Sequence, residues 1–345
     1  MARRKKKKSK LKYLFLIWIV AVVLGTGYLY QRYLSFSDSA IALVEPEQVL
    51  KILPGDSFVV VLNKLRALGV QHGHDLEWKA LAKTMGVMPK LQVGDYTVSN
   101  GMSPRELLNK LKSGDVIQYR FTIIEGWNIR QLRAALQSDP NLLQLTAQLN
   151  DQDLMIKLDR PGVLAEGRFL PETYHFTGGT SDLDILRRAL LALEKAVGDA
   201  WAQRQADLPI KTAEELLVLA SIIEKETGIA EERPQIAGVF VRRLQKGMRL
   251  ETDPTVIYGM GANYDGNIRR KDLTTDTPYN TYTRFGLPPG PIAMVGQAAL
   301  TAAANPEPGD SLFFVARGDG SHVFSATYEQ HRAAVVEFQL KRRSN

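Results

Sequence analysis

From Tyr13 to Tyr30 the chain reads Y-L-F-L-I-W-I-V-A-V-V-L-G-T-G-Y-L-Y, a run without a single charge. A helix of about 20 apolar residues crosses a bilayer core, and about 17 suffice. Such a run has no place on the surface of a soluble fold. Immediately before it stand Arg3, Arg4, Lys5, Lys6, Lys7, Lys8, Lys10 and Lys12. Positive charge on one flank fixes orientation, so the N-terminus is expected in the cytoplasm and the body outside it. Tyr28, Tyr30 and Tyr33 suit the far interface, where amphipathic rings settle. A cleaved signal peptide has a shorter apolar stretch followed by small residues. Gln31-Arg32-Tyr33-Leu34 is a poor cleavage site, so the run predicts an uncleaved single-pass anchor.

The same eight residues explain the charge. The chain of 345 residues carries +7 overall, but taking those eight from the 44 basic residues leaves 36 against 37 acidic ones. The body is near neutral, which argues against a nucleic-acid interface. There are no cysteines, hence no disulfide, thiolate metal site or Cys nucleophile. The five histidines lack H-E-x-x-H spacing, His72-x-His74 reads as a polar turn, and no phosphate-binding glycine motif is present. Neither a metal nor a cofactor is expected.

After a short polar stalk, Ser35–Ala40, a compact unit is expected. Val44–Leu53 reads as a strand ending at Pro54-Gly55-Asp56. Ser57 should cap a first helix, Asp75–Lys83 form a second, and Leu91–Val98 a turn and strand. Ser103-Pro104-Arg105-Glu106 starts a further helix that Gly114 ends. This order of strand, helix, helix and strand over about residues 45–100 resembles the LysM module, a small glycan-binding fold. It leaves open a sugar-binding module or a spacer of the same topology.

Val116–Ile124 alternates as a strand, and a helix follows from about Asn128 to Gln137. Residues 139–159 read as helical, and Leu183–Gln205 as a long helix. Between them, Glu166-Gly167-Arg168-Phe169-Leu170-Pro171-Glu172-Thr173-Tyr174-His175-Phe176 is either a carbohydrate groove or a loop anchored by buried rings. Near the C-terminus, Gly296–Ala304 is an Ala-rich helix. Leu312–Ala316 and His322–Ser325 form a hairpin around a turn that contains R-G-D, and the tail from Tyr328 is helical.

The centre of the chain is T-A-E-E-L-L-V-L-A-S-I-I-E-K-E-T. Thr212 and Glu215 have the form of a capping box. Leu216, Leu219, Ala220 and Ile223 recur at helical spacing. Glu224 and Glu226 close the helix at the end where the dipole disfavours negative charge. Loss of water there would raise a carboxyl's pKa toward that of a general acid. Carboxylates at such a position are ordinarily solvated or paired, and spacing alone does not choose between the two. A second helix over residues 231–246 ends at Gly247. Packed polar and aromatic residues between rigid turns follow, from Leu250 to Gly259 and on through Y-N-T-Y and G-L-P-P-G-P-I.

L-A-S-I-I-E-K-E-T, F-V-R-R-L-Q-K-G-M-R-L-E-T-D-P-T-V-I-Y-G, Y-N-T-Y, G-L-P-P-G-P-I, E-G-W and E-G-R-F-L-P-E-T-Y occur here in one order behind an N-terminal anchor. Together they closely resemble the YceG-like or MltG family of endolytic murein transglycosylases over nearly the whole chain. The resemblance implies a lyase that cleaves between N-acetylmuramic acid and N-acetylglucosamine in peptidoglycan, leaves 1,6-anhydro ends and terminates strand growth. It implies that Glu224 is catalytic and that Tyr279, Asn280, Tyr282, Thr252 and Asp253 contact substrate. Glu226 would orient or support. Family members usually have Gln where this chain has Glu251, which leaves that position's role open. Peptidoglycan strands are the implied partners, with membrane peptidoglycan synthases beside them. The expected fold is α+β: residues 1–12 a cytoplasmic tail, 13–33 the anchor, 44–115 a LysM-like subdomain, and 116–345 a mixed catalytic domain in the periplasm or other extracytoplasmic space. A hydrolytic muramidase using Asp253 or Glu251, or a non-catalytic glycan scaffold, are the alternatives.

Overall fold

The computed structural model describes residues 3–340, with side chains from residue 11; the ends of the expected tail and C-terminal domain, residues 1–2 and 341–345, lie outside the described residues. A single helix, α1 (Arg3–Asp38), contains the apolar run. Among the described residues it is the one helix long and apolar enough to cross a membrane. Its one aliphatic hydroxyl within the run, Thr26, donates to Val22 O at 2.7 Å, so that group needs no water. The expected stalk is not irregular. The helix runs on through Asp38, because Phe36 finds a buried seat against the rings of His72 and Trp78, each at 5.5 Å.

The chain divides into two units, residues 1–119 with 176–179, and residues 120–175 with 180–345. In the first, β1 (Glu47–Ile52), α2 (Phe58–Ala67), α3 (Asp75–Thr84), β2 (Gly94–Ser99) and α4 (Pro104–Ser113) follow in order. β1 and β2 pair antiparallel with Leu50 opposite Tyr96. The caps are those the sequence implies: Ser57 receives Val60 N–H, Ser103 and Glu106 form a capping box, and Gly114 ends α4 with φ +73°. Leu50, Val61, Leu65, Trp78, Leu81 and Tyr96 form its core.

The chain continues through β3 (Gln118–Thr122), α5 (Ile129–Ser138), α6 (Asp151–Lys157), β4 (Thr173–Thr177) and α7 (Asp182–Ala202). β3 pairs with β4. Then come α8 (Ala213–Glu226), α9 (Arg233–Gln245), α10 (Asp253–Met260), α11 (Arg270–Thr274), α12 (Gln297–Ala304), the hairpin β5 (Phe313–Ala316) and β6 (His322–Ser325), and α13 (Tyr328–Val335). The core of the second unit gathers α8 with α7, α9 and α12 around Leu216, Leu219, Ile223, Ile236, Phe240 and Leu300.

Two expectations are corrected here, and one left open is decided. Residues 139–159 are helical only over α6. Upstream, the buried Asp182 carboxylate accepts from Leu145 N–H, Thr146 N–H and the Thr146 hydroxyl, so the local backbone bonds outward instead of coiling. The box on α8 is half made: Thr212 receives Glu215 N–H, but the Glu215 carboxylate takes Lys211 N–H. In the stretch from Glu166 to Phe176, Phe169, Tyr174 and Phe176 are buried, which is the anchored-loop arrangement.

Candidate active site

The site is built on the exposed end of α8. Residues Leu216–Ile223 are buried without interruption, so the helix emerges from the core only at its last turn. Ser221 fixes its neighbour: its hydroxyl donates to Val218 O and accepts Ile292 N–H at 3.0 Å. That bond draws the P-G-P-I segment along the helix and delivers Gly296 to Glu224. Glu224 Oε2 accepts Gly296 N–H at 3.0 Å; Oε1 accepts no bond from the described residues. Burial raises the Glu224 pKa first of all. The Gly296 N–H opposes this, the Glu125 charge adds to it, and Arg233 and Lys225 pull it back.

Glu125 belongs to the E-G-W turn. Gly126 takes φ +74°, a conformation that glycine adopts without strain. Its N–H donates to Met294 O at 2.9 Å, and Met294 N–H donates to Trp127 O at 2.7 Å. The turn is thereby clamped to the segment that leads into α12. A Cβ on Gly296 would run into the Glu125 carboxylate, so this glycine is what lets the two acidic groups meet. Glu125 Oε2 lies 3.9 Å from Arg233 Nη2. The Arg233 side chain is only 11% exposed, and its Nε has no hydrogen-bond partner among the described residues. Lys225 Nζ donates to Gly126 O at 3.2 Å. Sequence reasoning missed Glu125 and Arg233 because they lie 99 and 9 residues from Glu224; the E-G-W triplet was the only signal.

Glu226 leaves the helix about 200° around from Glu224. The Thr252 hydroxyl donates to its Oε1. Tyr282 OH donates to Asp253 Oδ1 at 2.6 Å, and Thr252 N–H donates to Thr281 Oγ1. Glu226, Thr252, Asp253, Tyr282, Arg243 and His331 all face one cavity of about 420 Å³. Burial pushes the Glu226 pKa up to about 7, against the Thr252 hydroxyl. Glu251 takes φ +49°, an unusual conformation for a residue with a side chain, and pairs with Arg243 at 3.2 Å.

Thr252, Asp253 and Tyr282 therefore gather around Glu226. Asn280 is 1% exposed, and its amide donates to the carbonyls of Asp272, Leu273 and Thr275 while its Oδ1 accepts Tyr282 N–H. It pins a loop. Tyr279 packs on Tyr258 at 4.7 Å between ring centroids, and both line a second cavity, of about 400 Å³, with Glu166. The buried Glu166 carboxylate accepts Ile129 N–H at 3.1 Å and Gly167 N–H at 3.2 Å. It thus holds the start of α5 and, through it, the E-G-W turn. Burial pushes its pKa up to about 7, against these N–H donors. Among the described residues no group of three or more His, Asp or Glu could hold a metal ion.

The YceG-like family model matches residues 50–337. A Bacillus subtilis protein named endolytic murein transglycosylase is 32% identical over 264 residues, spanning 72% of this chain and 73% of its own length. A Streptococcus pneumoniae protein of that name is 26% identical; the match covers 94% of this chain and 64% of the relative, just under two thirds. The crystal structure of a yceG-like protein from Listeria monocytogenes matches with a TM-score of 0.53 and 28% identity, covering 83% of this chain and 98% of that one.

Proposed function

The chain belongs to the YceG-like family, and from that premise we propose that it is an endolytic murein transglycosylase with Glu224 as its acid and base. The observation that carries the assignment is the setting of the Glu224 carboxyl. It is half-buried at the end of an apolar helix, with a raised pKa and one oxygen held by Gly296. Glu224 enters protonated and gives its proton to the glycosidic oxygen between N-acetylmuramic acid and N-acetylglucosamine. The C1–O bond breaks, and its electron pair leaves with that oxygen. The muramyl C6 hydroxyl then attacks C1 of the same sugar, and the Glu224 carboxylate takes the hydroxyl proton. The product is a 1,6-anhydro end, and no water is consumed. An intramolecular nucleophile is favoured entropically, so one carboxylate does the work that hydrolases divide between two.

Tyr279, Tyr282, Thr252 and Asp253 serve as sugar contacts, with Asn280 holding the loop that carries the two tyrosines. Residues 116–345 act as the catalytic domain. Residues 44–115 form a LysM-like subdomain, a glycan-binding module or a spacer of that topology, a reading supported by the β1-α2-α3-β2 order and its antiparallel pairing. The basic N-terminus lies in the cytoplasm and the body outside, beside nascent strands and the synthases that make them. Cleavage there terminates strand growth.

The test is mass spectrometry of fragments released from peptidoglycan by the detergent-solubilised full chain. Fragments ending in 1,6-anhydro-muramic acid are expected, and Glu224→Gln should lose them while Glu226→Gln keeps a measurable rate. Hydrolysis is the second reading, favoured by one observation: Glu125, not Glu251 or Asp253, is the carboxylate that neighbours Glu224. Reducing ends would establish it and overturn the transglycosylase.

A further inference from the structure

A cavity of about 300 Å³ opens at the end of α8, walled by Gly126, Pro254, Ile257, Tyr258, Tyr264 and Ile292, with Asn128 and Gln131 at its edge. Two cations, Lys225 and Arg130, also line it. Each stands near a helix C-terminus: Lys225 in the last turn of α8, and Arg130 with Nη1 3.5 Å from where a Cβ on Gly261 would sit, at the end of α10. That setting favours positive charge. Yet neither cation has a carboxylate partner among the described residues; Lys225 bonds a backbone carbonyl. Most other cations of this unit around the site are paired or committed: Arg233 to Glu125, Arg243 to Glu251, Arg168 to Glu214. Lys225 directly follows Glu224 in the last turn of α8, and Gly126, which also lines the cavity, directly follows Glu125.

We propose that this cavity is a carboxylate-binding subsite that takes the acidic substituent of a muramyl residue. The inference rests on the transglycosylase reading and extends it to substrate selection. The two β-1,4 bonds that alternate along a glycan strand join the same kind of N-acetylated sugar ring. What sets the muramyl sugar apart is its C3 substituent, a lactyl ether that carries a free carboxylate or a peptide stem bearing carboxylates. A neutral glycan has no group to satisfy two unpaired cations. A muramyl residue seated by its carboxylate would lie with C1 toward Glu224, the register in which its own C6 hydroxyl is the nucleophile. The apolar side of the wall, Pro254, Ile257 and Ile292, strengthens such a pair by displacing water. Lys225 and Arg130 would thus read which of the two bonds enters the site.

The test uses the full chain in detergent with Glu224→Gln in the background, so that binding is measured without cleavage. The probes are denuded strands with free lactyl carboxylates, strands with intact stems, and a neutral chitooligosaccharide. Arg130→Gln and Lys225→Gln should each weaken binding to a carboxylate-bearing strand about tenfold. Chitooligosaccharide binding should not change, and Arg130→Lys should keep most of the affinity. A loss seen only with denuded strands identifies the lactyl carboxylate as the ligand; a loss seen only with stems identifies theirs. Acidic strands that bind both Gln variants as tightly as the parent would overturn the subsite. Failure of the underlying reading looks different: the chain with Glu224 intact would release no anhydro ends, whatever the binding ratios.

Discussion

Glu224 and Glu226 are two residues apart, and their surroundings give them different chemistry. Glu226 is bonded by Thr252 and flanked by the Asp253–Tyr282 pair. Glu224 has one oxygen unengaged and a second carboxylate, Glu125, at hand. Glu125 raises the proton affinity of Glu224, so Glu125→Gln lowers it. A general acid must start protonated, and its rate falls as pH rises through its pKa. The alkaline limb of the pH–rate profile should therefore move to lower pH in Glu125→Gln, and to higher pH in Arg233→Gln. An unmoved limb in both would remove this pair from the tuning of the acid. Glu166 supplies a stability prediction. Its pKa rises from the usual carboxyl range to about 7 in the fold, so the folded state binds the proton more tightly than the unfolded chain. That contribution is complete below the unfolded pKa and is lost as pH rises through about 7. The loss is of order 3 kcal/mol at most. Melting measured from pH 4 to 8 should decline on this account, and Glu166→Gln, which cannot ionise, should flatten the decline.

At the scale of elements, the site depends on where α12 begins. Gly296 gives its N–H to Glu224 and its open face to Glu125. Its backbone angles are ordinary, so alanine there meets no conformational barrier. Gly296→Ala should displace the half-exposed Glu125 side chain at a stability cost under about 1 kcal/mol. It should lower kcat well beyond what that cost explains; equal kcat at equal stability would show that the close approach is incidental. Thr212→Ala should cost α8 about 1 kcal/mol, the value of a lost N-cap. Local signals of this kind made much of the fold legible. Ser57, Ser103-Pro104, Gly114 and Thr212 mark helix ends by hydrogen bonds that span three or four residues. α10 was not legible, because Asp253-Pro254 opens it without a following apolar period. The overlong helix at residues 139–159 failed because Asp182, some 36 residues away, claims that backbone. The site divides in the same way. Glu224 was picked out by its motif, since periodicity left it level with Glu226. Its partners Glu125, Arg233 and Gly296 reach it through tertiary contacts that no local pattern encodes.

For the molecule as a whole, the apolar run does not end in a flexible tether. Past the apolar run, α1 continues into the first unit's core. Phe36 is buried, and its ring fills the space above Gly73. Ser37 is buried as well, Asp38 pairs with Arg105 at 2.7 Å, and Arg32 pairs with Glu77 at 2.8 Å. The ion pairs are exposed and contribute little. The ring is the main term, since deleting a buried Phe costs about 3–5 kcal/mol. A helix joined this way would hold the first unit at a fixed distance from any bilayer that α1 crosses. Two fragments separate that arrangement from a loose leash. One begins at Gln31 and keeps the end of the helix; the other begins at Ser39 and lacks it. In urea, the first unit of the longer fragment should unfold at clearly higher concentration than that of the shorter one, and Phe36→Ala in the longer fragment should account for most of the gap. If both fragments unfold together, the helix end adds nothing to the unit it enters, and the anchor is only a tether.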